Sequence, residues 1–182
     1  GEKMVIMGQS GCGKSTFLKH LVGLLTPAEG EILVDGKDIC RMDDEQRRGF
    51  TRGIGMLFQS GALFNSMSVH DNVAFPIHEH HKIAREVADI MVKMKLDLVG
   101  LGNAESKLPG ELSGGMRKRA GLARAMVLDP SIIFLDEPTS GLDPIIAAGI
   151  DELINRIAQA FHPTMVIVSH DIESGFTTGD RI

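Results

Sequence analysis

Apolar residues in this chain gather in short runs, and four of these runs close on a polar residue or a glycine. Met4-Val5-Ile6-Met7 meets Gly8, and Ile54-Gly55-Met56-Leu57-Phe58 meets Gln59. Ile132-Ile133-Phe134-Leu135 meets Asp136-Glu137, and Met165-Val166-Ile167-Val168-Ser169 meets His170. Runs of this length predict strands buried on both faces of a parallel sheet. Ligands of such sheets sit outside the carboxyl ends of the strands. One edge is therefore expected to gather a lysine-bearing loop, a glutamine, two carboxylates and a histidine, a set suited to a nucleoside triphosphate.

Elsewhere the period changes. Lys14–Leu25 predicts a helix, and Glu31–Lys37 a strand and turn. Residues 70–128 are mostly helical in pattern and predict a helical subdomain, leaving 1–69 and 129–182 as the sheet-bearing core. Within the helical part Val87, Ile90, Met91 and Met94 recur at helical spacing, with Asp89, Lys93 and Lys95 between them. That stripe is read as core packing; a groove for a partner's helix is its functional alternative. Met116–Leu128 predicts a helix with Met116, Ala120, Ala123 and Val127 on one face. Arg117, Lys118, Arg119 and Arg124 lie elsewhere on it, in the plainest reading a solvated basic face. After Asp143 a further helix is expected to bury Ile146, Ile150, Leu153, Ile154 and Ile157.

The loop Gly8-Gln9-Ser10-Gly11-Cys12-Gly13-Lys14-Ser15 has the spacing GxxxxGK[ST]. Its glycines let backbone approach an anion closely, and the amides of Gly13, Lys14, Ser15 and Thr16 point outward from a helix amino terminus. Lys14 offers a mobile charge to the β- and γ-phosphates; the Ser15 hydroxyl is placed to ligate Mg²⁺. Cys12 is read as a small filler. Asp136 is the expected second Mg²⁺ ligand and Gln59 a third, through its amide oxygen. Glu137, at a strand end, is expected to turn toward the γ-phosphate and activate the attacking water. His170 is expected to donate to that phosphate. Ser113-Gly114-Gly115 opens the later helix with free amides, a second anion site in a chain whose nucleotide needs one.

GQSGCGKST (8–16), Gln59, LSGGM (112–116), IIFLDEP (132–138), SGLDP (140–144) and His170 stand in the order found in the ATP-binding cassette (ABC) ATPases, which this chain resembles over nearly its whole length. The resemblance implies an α/β fold, a RecA-like P-loop core with a parallel sheet plus a helical subdomain. It also implies ATP with Mg²⁺, and a head-to-tail homodimer in which each ATP lies between one copy's phosphate loop and the other's Ser113–Gly115. Asp143 would communicate across that interface. MLFQSGALFNSMSVHDNVAFP (56–76) with ELSGGMRKRAGLARAM (111–126) is similar to the ATPases of bacterial Mla/Mce lipid transporters, which move phospholipids or related lipids between membranes. Met116 stands where a glutamine is most common. The resemblance further implies transmembrane permease subunits as partners, docking at Ser60–Pro76, and a peripheral place on the cytoplasmic face of the inner membrane. Importers of another substrate, and soluble ABC ATPases acting on DNA or ribosomes, are the alternatives. A P-loop kinase or GTPase would have no use for the Ser-Gly-Gly segment.

Composition narrows this further. A net charge of −5 over 182 residues, without a dense basic stretch, argues against a nucleic-acid groove. No apolar stretch reaches membrane-spanning length and no secretory signal is visible, so membrane association is expected to be indirect. Cys12 and Cys40 are too few for a disulfide framework. His78, His80 and His81 are read as a solvated turn rather than a metal site. The chain opens on the phosphate-loop strand and holds neither Tyr nor Trp, so an aromatic platform for adenine is not expected within it. The sequence reads as a trimmed cassette with slow or no turnover by itself.

Overall fold

The computed structural model describes residues 1–182. Strand β1 (Lys3–Met7) leads through the glycine loop into helix α1 (Lys14–Leu21). A small hairpin follows, β2 (Leu33–Val34) and β3 (Lys37–Asp38), then α2 (Asp44–Arg52) and β4 (Ile54–Leu57). Three helices come next: α3 (Val69–His80), α4 (Arg85–Leu98) and α5 (Gly114–Met126). The chain closes with β5 (Ile132–Asp136), α6 (Pro144–Phe161), β6 (Thr164–Ser169) and α7 (Ile172–Thr178).

The four expected strands form one parallel sheet in the order β1-β6-β5-β4. Register aligns their carboxyl ends, with Met7 opposite Ser169 and Asp136 opposite Val168. All four loops that follow the strands thus leave from one edge. Burial on both faces holds for the interior strand β5 but not for β1, where only Val5 is fully buried. An edge strand has a neighbour on one side only, so Met4, Ile6 and Met7 stay half-buried.

One apolar cluster joins the sheet to the helices, running from Ile133 and Leu135 through Ala120 to Val73 and Leu96. Helix α5 comes close to β4 because Gly55 has no side chain: a Cβ there would run into the Ala125 carbonyl oxygen and the Pro130 ring. Gly55→Ala is therefore expected to destabilise the fold by about 1–3 kcal/mol, read as a lower urea midpoint at unchanged slope.

Four expectations need correction. On α4 the buried face is Ala88, Val92, Lys95 and Leu96, while Val87, Ile90 and Met94 are 48%, 61% and 64% exposed. Two overlapping apolar stripes share this helix, and the one carrying Ala88 fits closer against α3. Lys95 is buried because its ammonium pairs with Asp129 and lies 4.8 Å from the Phe161 ring centre. On α6 the stripe Ile150, Leu153, Ile154 and Ile157 is buried as expected, but Ile146 is exposed in the first turn. The histidines 78 and 80 belong to the last turn of α3, and His81 caps it, so they are not in a turn of their own. The first helix is also shorter than expected, stopping at Leu21 two residues before Gly23 adopts φ 75°.

Candidate nucleotide-binding and catalytic site

The glycine loop is built to present amides. Gly13 caps α1 in the left-handed region at φ 99° and makes no side-chain cap bond, which leaves the first-turn N–H groups free. Gly8 lies under Cys12, whose Sγ occupies the space a Cβ would need. Gln9, Ser10, Gly11, Cys12 and Thr16 are exposed along the loop. Lys14 is buried and folds back, its ammonium donating to the carbonyls of Gly8 at 2.7 Å and Gln9 at 3.0 Å. The loop therefore carries its own cation, parked on its backbone.

Around that ammonium the strand ends assemble the remaining groups. Ser15 Oγ donates to Asp136 Oδ1 at 2.8 Å. These are two hard oxygen donors at the mouth of the sheet, and an all-oxygen set of this kind fits Mg²⁺. Gln59 is exposed and lines the same open cleft of about 570 Å³ as Ser15 and Asp136. Glu137 has φ 50° and so leaves the strand in the left-handed region, at a cost of roughly 1–3 kcal/mol for a non-glycine residue. The turn aims its carboxylate inward. Oε1 lies 3.6 Å from the Lys14 ammonium and Oε2 lies 2.6 Å from His170 Nδ1. Glu137 is 7% exposed, whereas the His170 side chain is 49% exposed on the solvent side of the pair. A buried carboxylate held between a cation and an imidazole can accept a proton from water and pass it outward.

Ser113, Gly114 and Gly115 stand apart from this group. Ser113 caps α5 by accepting from Met116 N at 3.3 Å, which leaves its own hydroxyl proton available. Gly114 and Gly115 face Leu142 and Ile146; a Cβ on Gly115 would strike the Ile146 side chain. None of the three lines the cleft that holds Ser15, Gln59 and Asp136. Asp143 caps α6, accepting from Ile146 N at 3.0 Å, and is exposed. The starts of α1 and α5 in one copy thus border different spaces.

Helix α5 holds what pattern reading missed. Its four cations do not make a solvated face, since each donates to a backbone carbonyl. Arg117 reaches Leu112, and Arg119 reaches Val99. Arg124 reaches Gly61 and Ala62, just past Gln59, at 2.8 and 2.7 Å. Lys118 reaches Glu137. The signal available was the shortage of polar positions elsewhere on the helix: Ala120, Gly121, Leu122 and Ala123 are all buried, so the cations must find acceptors inside the molecule. Buried Asn72 fastens the same stretch from the other side, bonding to Phe64, Met67 and Ser68.

A second polar chain lies behind the site. Ser174 of α7 donates to Asp151 of α6 at 2.7 Å, beside Thr139. Burial pushes the Asp151 carboxyl above its usual range, the Ser174 bond opposing. A carboxyl raised in the folded state costs stability once pH exceeds its unfolded value, and costs nothing when both states are protonated. Asp151→Asn is expected to raise the melting temperature at pH 7, with the gain shrinking toward zero as pH falls through the carboxylate range.

Residues 1–140 match the family model described as ABC transporter. The chain is 51% identical over 183 residues to the Mycobacterium leprae protein named "Probable ribonucleotide transport ATP-binding protein mkl", covering 100% of this chain and 52% of that one. It is 49% identical over 180 residues to the Haemophilus influenzae intermembrane phospholipid transport system ATP-binding protein MlaF, covering 99% of this chain and 68% of that one. Among solved structures, the dimeric post-hydrolysis state of the ATP-binding cassette MJ0796 bound to ADP and Pi superposes with a TM-score of 0.88 at 31% identity, over 97% of this chain and 78% of that one. The chain spans about half the length of its mycobacterial relatives. With its phosphate loop, buried carboxylates and signature helix in one fold, the chain belongs to the ABC transporter family.

Proposed function

We propose that this chain is the ATP-hydrolysing subunit of a membrane transporter that moves phospholipid between bacterial membranes. The observation that carries the ATPase reading is Glu137, buried and aimed between Lys14 and His170. ATP enters with its phosphates on the Gly8–Thr16 loop, and Lys14 exchanges its loop carbonyls for phosphate oxygens. Ser15, Asp136 and the Gln59 amide oxygen would hold Mg²⁺, which when bound neutralises charge on those oxygens. Glu137 then takes a proton from the attacking water while His170 donates to the γ-phosphate. Placing Ser113–Gly115 away from the chain's own cleft supports a head-to-tail homodimer, in which each signature segment covers the other copy's ATP.

Closure around ATP would draw the helical unit 70–128 inward, and phosphate loss would let it reopen. The partner's short helix would sit in the groove of about 290 Å³ that includes Phe64, Phe75 and Pro76 of the expected Ser60–Pro76 stretch, with Phe58 just before it. Phe64 and Phe75 are 43% and 38% exposed there, apolar surface suited to a permease contact. No helix is long and apolar enough to cross a membrane. Attachment through such a subunit would put the chain at the cytoplasmic face of the inner membrane.

The names of relatives give two cargoes, phospholipid for MlaF and ribonucleotide for mkl. We take phospholipid, on the likeness of 56–76 and 111–126 to the lipid-transporter ATPases. The test is to purify the native full-length protein with its membrane partner, reconstitute it in vesicles, and follow ATP turnover and labelled phospholipid. ATP-dependent phospholipid movement is the expected result. Movement or stimulation by ribonucleotide alone would overturn the cargo, and absence of turnover would overturn the ATPase reading.

A further inference from the structure

We propose that Lys118 is a positioning residue for hydrolysis, tying the signature helix of one copy to the backbone of its own Glu137. Lys118 is 5% exposed, and its ammonium donates to the Glu137 carbonyl, nineteen positions away in sequence. That carbonyl belongs to the residue whose φ of 50° aims the carboxylate. The unusual backbone therefore has a charged partner holding it. Lys118 also lies on the helix that Ser113 caps, five residues along. Displacing the amino end of α5, as a phosphate arriving at Ser113 would do, pulls on the Glu137 peptide directly. Arg124 holds the chain beyond Gln59 from the same helix, so α5 grips the approaches to two site residues.

The surroundings act on this charge in two directions. Burial pushes the Lys118 pKa down to about 8 and the carboxylates of Asp136 and Glu137 oppose that fall, so the ammonium keeps most of its charge at neutral pH. No other side chain donates to the Glu137 carbonyl; the Ser140 backbone amide shares it at 3.2 Å. Losing Lys118 leaves a weaker, neutral donor to hold the turn.

This inference rests on the ATPase reading, and its test separates the two. In the full-length protein with its membrane partner, Lys118→Met is expected to lower kcat about tenfold to a hundredfold, as a small misplacement of a reacting group does. The KM for ATP should stay within about twofold, since no phosphate contact is lost. Lys118→Arg, which keeps a charged donor, should recover most of the turnover. The carbonyl carbon resonance of Glu137 reads the bond without any hydrolysis: it should move to lower frequency in Lys118→Met and stay near the wild-type value in Lys118→Arg. If Lys118→Met does not fold, Lys118→Gln, with a shorter neutral donor, should show the same carbonyl shift and the same split between kcat and KM. An unmoved carbonyl resonance, unchanged kcat, or KM rising in step with the loss of kcat overturns the proposal. Wild-type turnover measured in parallel reports on the ATPase reading alone.

Discussion

In the full-length protein Glu137→Gln is expected to bind ATP as tightly as the wild type while losing roughly a hundredfold to ten-thousandfold in turnover, the range a positioned general base contributes. The amide keeps the shape of the carboxylate and its place beside Lys14, but it no longer accepts the proton from water. Binding survives because the phosphate contacts come from the loop amides and the Lys14 ammonium, none of which the change removes. Removing a negative charge 3.6 Å from Lys14 leaves that cation freer for phosphate. The variant should therefore accumulate as ATP-bound closed dimers, seen as a doubling of mass in size-exclusion chromatography with ATP. Wild-type turnover in this variant would retire Glu137 as the base and leave His170 as the remaining proton carrier at the site.

Ser113→Glu is expected to abolish turnover with nucleotide affinity of the single copy unchanged. The residue caps α5 and presents a hydroxyl proton with the free amides of the helix start. A carboxylate can serve the cap, so the helix should persist. It cannot share the space with a γ-phosphate, because two anions would meet where one hydroxyl now donates. Ser113 does not line the chain's own cleft, which is why affinity of the lone chain should be indifferent to the change. Equilibrium binding of a fluorescent ATP analogue and steady-state turnover separate the two effects. Full turnover in this variant would contradict a shared site.

Strands and phosphate chemistry were legible in the sequence for a physical reason. An apolar run with a polar terminus reports burial and its end in the same few residues, as Ile132–Leu135 with Asp136 and Glu137 does. The loop glycines declare their conformation in their spacing. Helical faces were less legible where small and large apolar residues overlap. On α4 the larger residues Ile90 and Met94 suggested the buried side, but Ala88 and Val92 allow the closer approach and won it. Cations on α5 misled for a different reason. Lysine and arginine usually snorkel to water, and only the positions of distant carbonyls at Glu137, Gly61 and Val99 show why these do not.

Under the proposed head-to-tail pairing Asp143 would have two uses. In the single chain it caps α6, and its exposure leaves the same carboxylate at the surface where a second copy would meet it. Ile145 and Ile146, 84% and 40% exposed beside it, are apolar surface in the same place. Ile146 lies next to Gly115, which puts the signature segment and this turn on one face, the arrangement a head-to-tail pairing would need.

The most direct measurement is complementation between two inactive variants of the full-length protein. Lys14→Ala loses its own phosphate cradle but keeps a working Ser113 segment; Ser113→Glu has the opposite defect. Mixed at equal concentration with ATP and magnesium, they form one complete composite site in each mixed dimer. Turnover that returns on mixing, though neither variant turns over ATP alone, is what the shared site predicts. A mixture as inert as its components, or a Ser113→Glu chain active by itself, would contradict it.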